Sequence, residues 1–139
     1  MIAVRTFSGT IRALLADDDA SCRLLLQRQL ESLGDVVVHA VADGEEAVTA
    51  FQEALSNGAK YDAVFLDVSM PIMSGFIAAD IIRNLDTEPC TPITMVTGTE
   101  PCRDVLTRNG VDGYLMKPVP KCLLKNIIDG RRMQLIGGK

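Results

Sequence analysis

Five short apolar runs punctuate the chain, at residues 11–16, 36–40, 63–67, 93–97 and 111–116. Each is too short for a helix and too continuously apolar for a strand that faces water on one side. Between them lie stretches whose apolar residues recur with a period near 3.6. Strands alternating with helices, with the strands largely apolar runs, imply a parallel sheet covered on both faces. Right-handed crossovers then leave few topologies. Two doubly wound orders are common, the dinucleotide-binding order and 2-1-3-4-5. In either, ligands gather at the carboxyl ends of the strands, near the point where the strand order reverses.

In chain order, β1 is expected over 11–16 and runs straight into Asp17-Asp18-Asp19. α1 follows over about 20–33, with Cys22, Leu26, Leu30 and Leu33 on one face, Leu25 beside them and Gly34 as its stop. β2 is short and β-branched, at 36–40. Asp43-Gly44-Glu45-Glu46 reads as a capping box opening α2, whose Ala47, Phe51, Ala54 and Leu55 form one stripe ending near Asn57-Gly58. β3, at 63–67, ends abruptly in the carboxylate of Asp67, and a loop with Pro71 and Gly75 follows at once. Ser74 is placed to cap α3, which carries Ala78, Ile81, Ile82 and Leu85 on one face. β4 covers 93–97 and ends in the hydroxyl of Thr97. α4 is expected as a short helix over about 100–108, closed by Asn109-Gly110. β5, at 111–116, leads into Lys117-Pro118. α5 starts near Pro120, with Leu124, Ile127, Ile128 and Arg131 on one side.

This arrangement predicts one domain over 11–133, preceded by an arm or linker remnant at 1–10 and followed by a frayed end at 134–139. The 139 residues are 47% hydrophobic, enough for a full core and too apolar for disorder. The net charge of −4 argues against a surface for direct nucleic-acid or anionic-membrane binding, which needs a basic stripe. No apolar run approaches the roughly 18 residues of a membrane span, and no amino-terminal segment reads as a leader. The expectation is a soluble, cytoplasmic protein. Cys22, Cys90, Cys102 and Cys122 form no C-x-x-C pair, and the single histidine, His39, is far from them in sequence, so they read as reduced thiols. His39 itself reads as structural or surface.

The informative residues stand at the strand ends. β1 delivers Asp17 and Asp18, β3 delivers Asp67, β4 delivers Thr97 and β5 delivers Lys117. In the order 2-1-3-4-5, β1 and β3 are neighbours at the switch point, so three carboxylates would converge there beside a hydroxyl and an ammonium. Three carboxylates in one cleft repel unless some protonate or a cation sits among them. Oxygen ligands without His or Cys favour a hard ion, and a few carboxylates plus water is the Mg²⁺ pattern. A carboxylate flanked by a hard cation, a lysine and a hydroxyl is suited to receiving a phosphoryl group.

These residues resemble the receiver domain of two-component response regulators, of the chemotaxis-regulator type. The likeness rests on the acidic pair Asp17-Asp18, the segment Asp67-x-x-Met70-Pro71-x-Met73-x-Gly75, Thr97 after β4 and Lys117-Pro118 after β5, and it covers roughly 11–128. The resemblance implies a flavodoxin-like (βα)5 sandwich with a doubly wound five-stranded parallel sheet of order 2-1-3-4-5. It implies that Asp67 is the phosphoacceptor, taking a phosphoryl group from a histidine kinase or histidine phosphotransfer protein. Asp18 and Asp67 would hold Mg²⁺ directly, Asp17 mainly through water and Ser69 through its backbone carbonyl. Lys117 would contact the phosphoryl oxygens, with a cis bond to Pro118. Thr97 and Tyr114 would act as the switch pair, coupling the site to an α4–β5–α5 face read by a downstream partner. Ser69 and Thr99 would occupy the positions that tune phosphate lifetime. Ser74 departs from the Asp often found before this Gly, and Asp19 adds a further acid to the pair, expected to be solvated and to matter only for the local field. On this reading the chain is a signalling domain and not an enzyme.

Three other readings meet obstacles in the same residues. An aspartyl phosphatase of the haloacid-dehalogenase type needs a second acid two residues after the first, where this chain has Ser69. A flavodoxin-like FMN carrier needs a phosphate loop after β1, where three Asp would repel phosphate, and aromatic rings to stack the flavin. A degenerate receiver, serving only as an interaction module, would not need the intact set Asp17, Asp18, Asp67, Thr97 and Lys117.

Overall fold

The computed structural model describes residues 9–98 and 110–137. The expected arm at 1–10 falls mostly outside them, as do α4, Cys102 and Thr99. β1 (Ile11–Ala16), β2 (Val36–Val41), β3 (Ala63–Asp67), β4 (Ile93–Thr97) and β5 (Gly113–Met116) form one parallel sheet in the order β2-β1-β3-β4-β5. α1 (Ala20–Glu31) and α5 (Lys121–Gly137) cover one face, and α2 (Gly44–Ser56) and α3 (Gly75–Leu85) the other. The fold is therefore the doubly wound, flavodoxin-like sandwich anticipated from the alternating runs. No helix among the described residues is long and apolar enough to cross a membrane.

The period-2 alternation of each strand divides the core in two. Leu14, Ala16, Val64, Leu66 and Met95 pack with Phe51, Ala54, Ala78 and Ile82 under α2 and α3. Ala13, Leu15, Ala63, Phe65, Val96 and Leu115 pack with Leu26, Leu30, Leu124 and Ile128 under α1 and α5. Every residue of β3 and β4 is buried. A fully buried Leu, Ile or Phe contributes roughly 1.5–3 kcal/mol, so these two central strands anchor the fold.

Helix starts follow the cap chemistry. Asp43 accepts from the Glu46 N–H at 2.8 Å, and Ser74 Oγ accepts from the Ile77 N–H at 3.3 Å. The Glu46 carboxylate reaches back to the Ala42 N–H at 3.3 Å, one residue before the cap. Asp19, expected to be merely solvated, caps α1 by accepting from the Cys22 N–H at 2.9 Å.

Other differences have physical causes. α1 ends at Glu31, and Leu25 is exposed, because only the Leu26–Leu30 line meets the sheet. β5 begins at Gly113, two residues late, because Asp112 is drawn off to accept from the Ile93 N–H at 2.7 Å. α5 runs on to Gly137, so residues 134–137, expected to fray, continue the helix. It is tied down there by the buried Arg131, whose Nε donates to the Asp62 carbonyl at 2.9 Å.

The amino-terminal ends of the strands are knitted by ionic side chains. Arg83 donates to the Gly110 carbonyl at 2.8 Å and the Thr91 carbonyl at 2.8 Å, and pairs with Asp112 at 2.9 Å and Asp86 at 3.2 Å. Lys60 pairs with the same Asp86 at 2.7 Å.

Candidate functional site

The opposite, carboxyl ends of β1, β3, β4 and β5 bring the predicted residues together. Parallel pairing sets the depth of each: Asp67 lies in register with Val96, and Thr97 with Met116. Beyond the strands, the Asp17 N–H donates to the Val41 carbonyl at 3.1 Å, and the Lys117 N–H donates to the Thr97 carbonyl at 2.8 Å. Both residues are thus fixed through their backbones before their side chains are considered. The Lys117–Pro118 bond is cis, as is Glu88–Pro89.

Asp17 is fully buried, Asp67 and Thr97 are buried, and Asp18 is exposed. Carboxylate oxygens of Asp17, Asp18 and Asp67 all lie within 4.8 Å of one another. Lys117 Nζ stands 2.9 Å from Asp17 Oδ2 and 3.4 Å from Asp67 Oδ2. Asp17 Oδ1 accepts from the Asp19 N–H at 2.9 Å, while among the described residues Oδ2 has no partner beyond the Lys117 ammonium. The Asp17 carbonyl in turn accepts from Arg23 at 2.7 Å, which ties α1 to the site.

Charge in this cleft is unbalanced. Burial, and then the neighbouring Asp17 charge, push the Asp67 carboxyl up to about 6, against the pull of Lys117. Burial pulls the Lys117 ammonium down, but its hydrogen bond to Asp17 and the charges of Asp67 and Asp17 outweigh it, leaving the pKa raised. Among the described residues, the Lys117 ammonium paired with Asp17 and Asp67 does not cancel the upward push on Asp67. A cluster of carboxylates with no His or Cys, one of them with a buried oxygen short of partners, fits a hard divalent cation such as Mg²⁺.

The loop after Asp67 is held close. The Gly75 N–H donates to the Val68 carbonyl at 3.0 Å, bringing the start of α3 onto the end of β3. A Cβ on Gly75 would lie 2.1 Å from the Asp67 carbonyl oxygen and 2.7 Å from Met95 Cε. Within the loop the Met73 N–H donates to the Pro71 carbonyl at 2.7 Å, closing a three-residue turn with Ile72 at φ +72°. That hand of the γ-turn is rare and strained, the more so for a β-branched residue. Ser69, two residues past Asp67, is exposed.

Tyr114 is half-buried on the α2–α3 side, its ring 6.5 Å from that of Phe76. Beside Lys117, the α1 residues Cys22, Leu25 and Gln29 and the loop residues Pro118 and Val119 line a mostly apolar hollow of about 240 Å³. Sequence reading did not single out this hollow or the cap at Asp19. An exposed leucine on an amphipathic helix was the available signal for the first, and an acid three residues before an N–H in need of a partner was the signal for the second.

Comparison with known proteins agrees with the geometry. The family profile described as response regulator receiver domain matches residues 13–129. Transcription factor SKN7 of Candida albicans is 34% identical over 123 residues, covering 84% of this chain and 21% of that protein. The osmosensing histidine protein kinase SLN1 of Saccharomyces cerevisiae is 28% identical over 121 residues, covering 86% of this chain and 10% of that protein. The chain thus spans a small part of these relatives. Among solved structures, the receiver domain of the sensor histidine kinase PA1611 from Pseudomonas aeruginosa, with a magnesium ion coordinated in its active-site cleft, superposes with a TM-score of 0.76 at 27% identity, covering 89% of this chain and 98% of that one.

Proposed function

The chain belongs to the response regulator receiver domain family, and we propose that it is a phosphoacceptor in which Asp67 takes a phosphoryl group from a phosphohistidine. The donor would be a histidine kinase or a histidine phosphotransfer protein. The observation that carries the reading is the position of Lys117 Nζ, 2.9 Å from Asp17 and 3.4 Å from Asp67, in a cleft with excess negative charge.

In the transfer, an ionised Asp67 oxygen bonds to phosphorus as the bond from phosphorus to the imidazole nitrogen breaks, and the departing imidazole keeps or gains a proton. Asp67 is mostly ionised at neutral pH, since its carboxyl titrates at about 6. Asp18, Asp67 and the Ser69 backbone carbonyl would hold Mg²⁺, with Asp17 acting mainly through water, and the bound ion would supply positive charge near the phosphoryl oxygens. Lys117 pairs with the same oxygens by leaving Asp17 or sharing it. Thr97 donates its hydroxyl to the attached group. Tyr114 turns inward as Thr97 shifts, and so carries the change to β5 and α5; the α4 expected to share that face lies outside the described residues. Ser69 and Thr99, the latter outside the described residues, set how readily water reaches the acyl phosphate. The hollow beside Lys117 gives the donor protein an apolar foothold next to the acceptor. Among the described residues Cys22, Cys90 and Cys122 are free thiols, in keeping with a reducing, cytoplasmic setting.

The test is incubation with a small phosphodonor and Mg²⁺, followed by intact mass measurement. One added phosphoryl group is expected. It should vanish with chelator or in Asp67→Asn. Label that persists in Asp67→Asn would overturn the assignment, and an unchanged mass in the parent protein would favour an interaction module that works without phosphorylation.

A further inference from the structure

At the far margin of the sheet from β5, β2 is an edge strand. The Asp35 and Val41 carbonyls accept from the Ile11 and Asp17 N–H groups of the β1 side, at 2.8 and 3.1 Å. Alternation therefore turns the N–H and C=O groups of Val36, Val38 and Ala40 away from β1, out of the sheet. Among the described residues β2 pairs only with β1. Proteins usually guard such an edge with lysine, proline, a bulge or very short length. The sequence Val-Val-Val-His-Ala-Val has six residues in strand conformation and none of these guards, and Val37 is 59% exposed.

A groove of about 400 Å³ runs beside this edge, between β2, α2 and the exposed Ile72. Its charged lining is acidic: Asp43, Glu45, Glu46 and Glu53, with no Lys or Arg. His39 forms the strand side of the groove, its Nδ1 2.6 Å from the Tyr61 hydroxyl. Side chains of a strand added to β2 would alternate between the two faces, and those on the α2 side would enter this groove.

We infer that the β2 edge and its acidic groove dock an extended, lysine- or arginine-bearing segment of another protein, which adds a sixth strand to the sheet. Main-chain hydrogen bonds would supply affinity and the groove would supply selectivity. A second copy of this chain is the wrong occupant on charge. Antiparallel β2–β2 pairing about a two-fold axis brings both α2 helices to the same side, setting each Glu45 and Glu53 against the other copy's acids, on chains of net charge −4. The inference is independent of phosphorylation at Asp67, since it uses no group of that site.

The test uses a capped peptide of alternating valine and lysine, and a matched peptide of valine and glutamate, titrated into the full chain and followed by amide NMR. The lysine peptide should shift the amides of residues 36–41 and slow exchange at Val36, Val38 and Ala40. Added salt should weaken it, and the glutamate peptide should not bind. Val38→Pro removes an outward N–H at a position where an edge strand tolerates proline, and E45Q/E53Q removes charge without touching the backbone. Each should weaken binding by about tenfold or more. The inference fails if Val38→Pro and the parent bind alike, if both peptides bind alike, or if no binding is seen. It also fails if the free protein forms a dimer that Val38→Pro abolishes, because the occupant is then a second copy.

Discussion

Lys117 Nζ is nearer to Asp17 Oδ2, at 2.9 Å, than to Asp67 Oδ2, at 3.4 Å. The ammonium is thus anchored on the carboxylate that is fully buried, not on the proposed acceptor. Removing the lysine strands a buried charge. Lys117→Ala should cost about 2–3 kcal/mol in metal-free buffer, below the usual range for a fully buried pair because the lysine is partly solvated. Adding Asp17→Asn should restore much of that loss. Denaturant titration of the two single variants and the double variant measures the coupling.

Asp67 gives stability a definite pH dependence. Its carboxyl is raised from 3.8 to about 6, chiefly by burial and then by Asp17. The folded protein holds this proton more tightly than the unfolded chain does. The contribution to stability is therefore present below the ordinary value and is lost as pH rises through about 6. Asp67→Asn should be more stable than the parent at pH 7.5 by roughly 1–2 kcal/mol, with the gain shrinking toward zero by about pH 4. Thermal melts across that range, without divalent ions, test the sign.

Asp18 is exposed yet shares the acidic cluster. In metal-free buffer Asp18→Asn should change stability by less than about 0.5 kcal/mol. Mg²⁺ should raise the melting temperature of the parent and do so much less for the variant. Equal Mg²⁺ stabilisation of both proteins would place the ion elsewhere.

Ile72 holds φ +72° at the centre of a three-residue turn while its side chain is 79% exposed. Strain of this kind costs of order 1–3 kcal/mol, and little packing is lost with the side chain. Ile72→Gly should raise stability by about 1 kcal/mol, net of the glycine entropy cost. A lower denaturation midpoint would show that the side chain contributes more than its exposure suggests.

Gly75 admits no side chain, because a Cβ would press on the Asp67 backbone carbonyl at 2.1 Å. Gly75→Ala should cost roughly 3 kcal/mol by forcing α3 off the end of β3. Phosphorylation should slow in the same variant even under conditions where it stays folded, which rate measurements by intact mass would reveal.

Much of this was legible in the chain. β3 and β4 are buried along their whole length, so their apolar runs carried an unmixed signal. Asp17, Asp67, Thr97 and Lys117 could be placed together because strand ends in a parallel sheet converge by topology alone. What was not legible depended on tertiary choice. Nothing local to Leu25 tells which side of α1 the sheet will take. A β-branched residue argues against the positive φ that Ile72 adopts, and only its closely held neighbours impose it. Asp112 ends β5 early because a distant N–H, that of Ile93, claims its side chain. The division between Asp17, buried against Lys117, and Asp18, exposed, likewise arises from the packing of the β1 end, since the two are identical in sequence terms.

The Arg83 network closes the strands at the pole opposite Asp67. There Asp86 is held by Lys60 and Arg83, and Asp112 by Arg83. At the other pole, among the described residues, Lys117 pairs with Asp17 and Asp67 while Asp18 of the same cluster stands exposed. The molecule thus keeps its paired charges and its clustered acids at separate ends. Substitutions among the acids can retune chemistry while Arg83 and Asp86 hold the scaffold, and losses at Arg83 should melt the scaffold without altering what Asp67 prefers to bind.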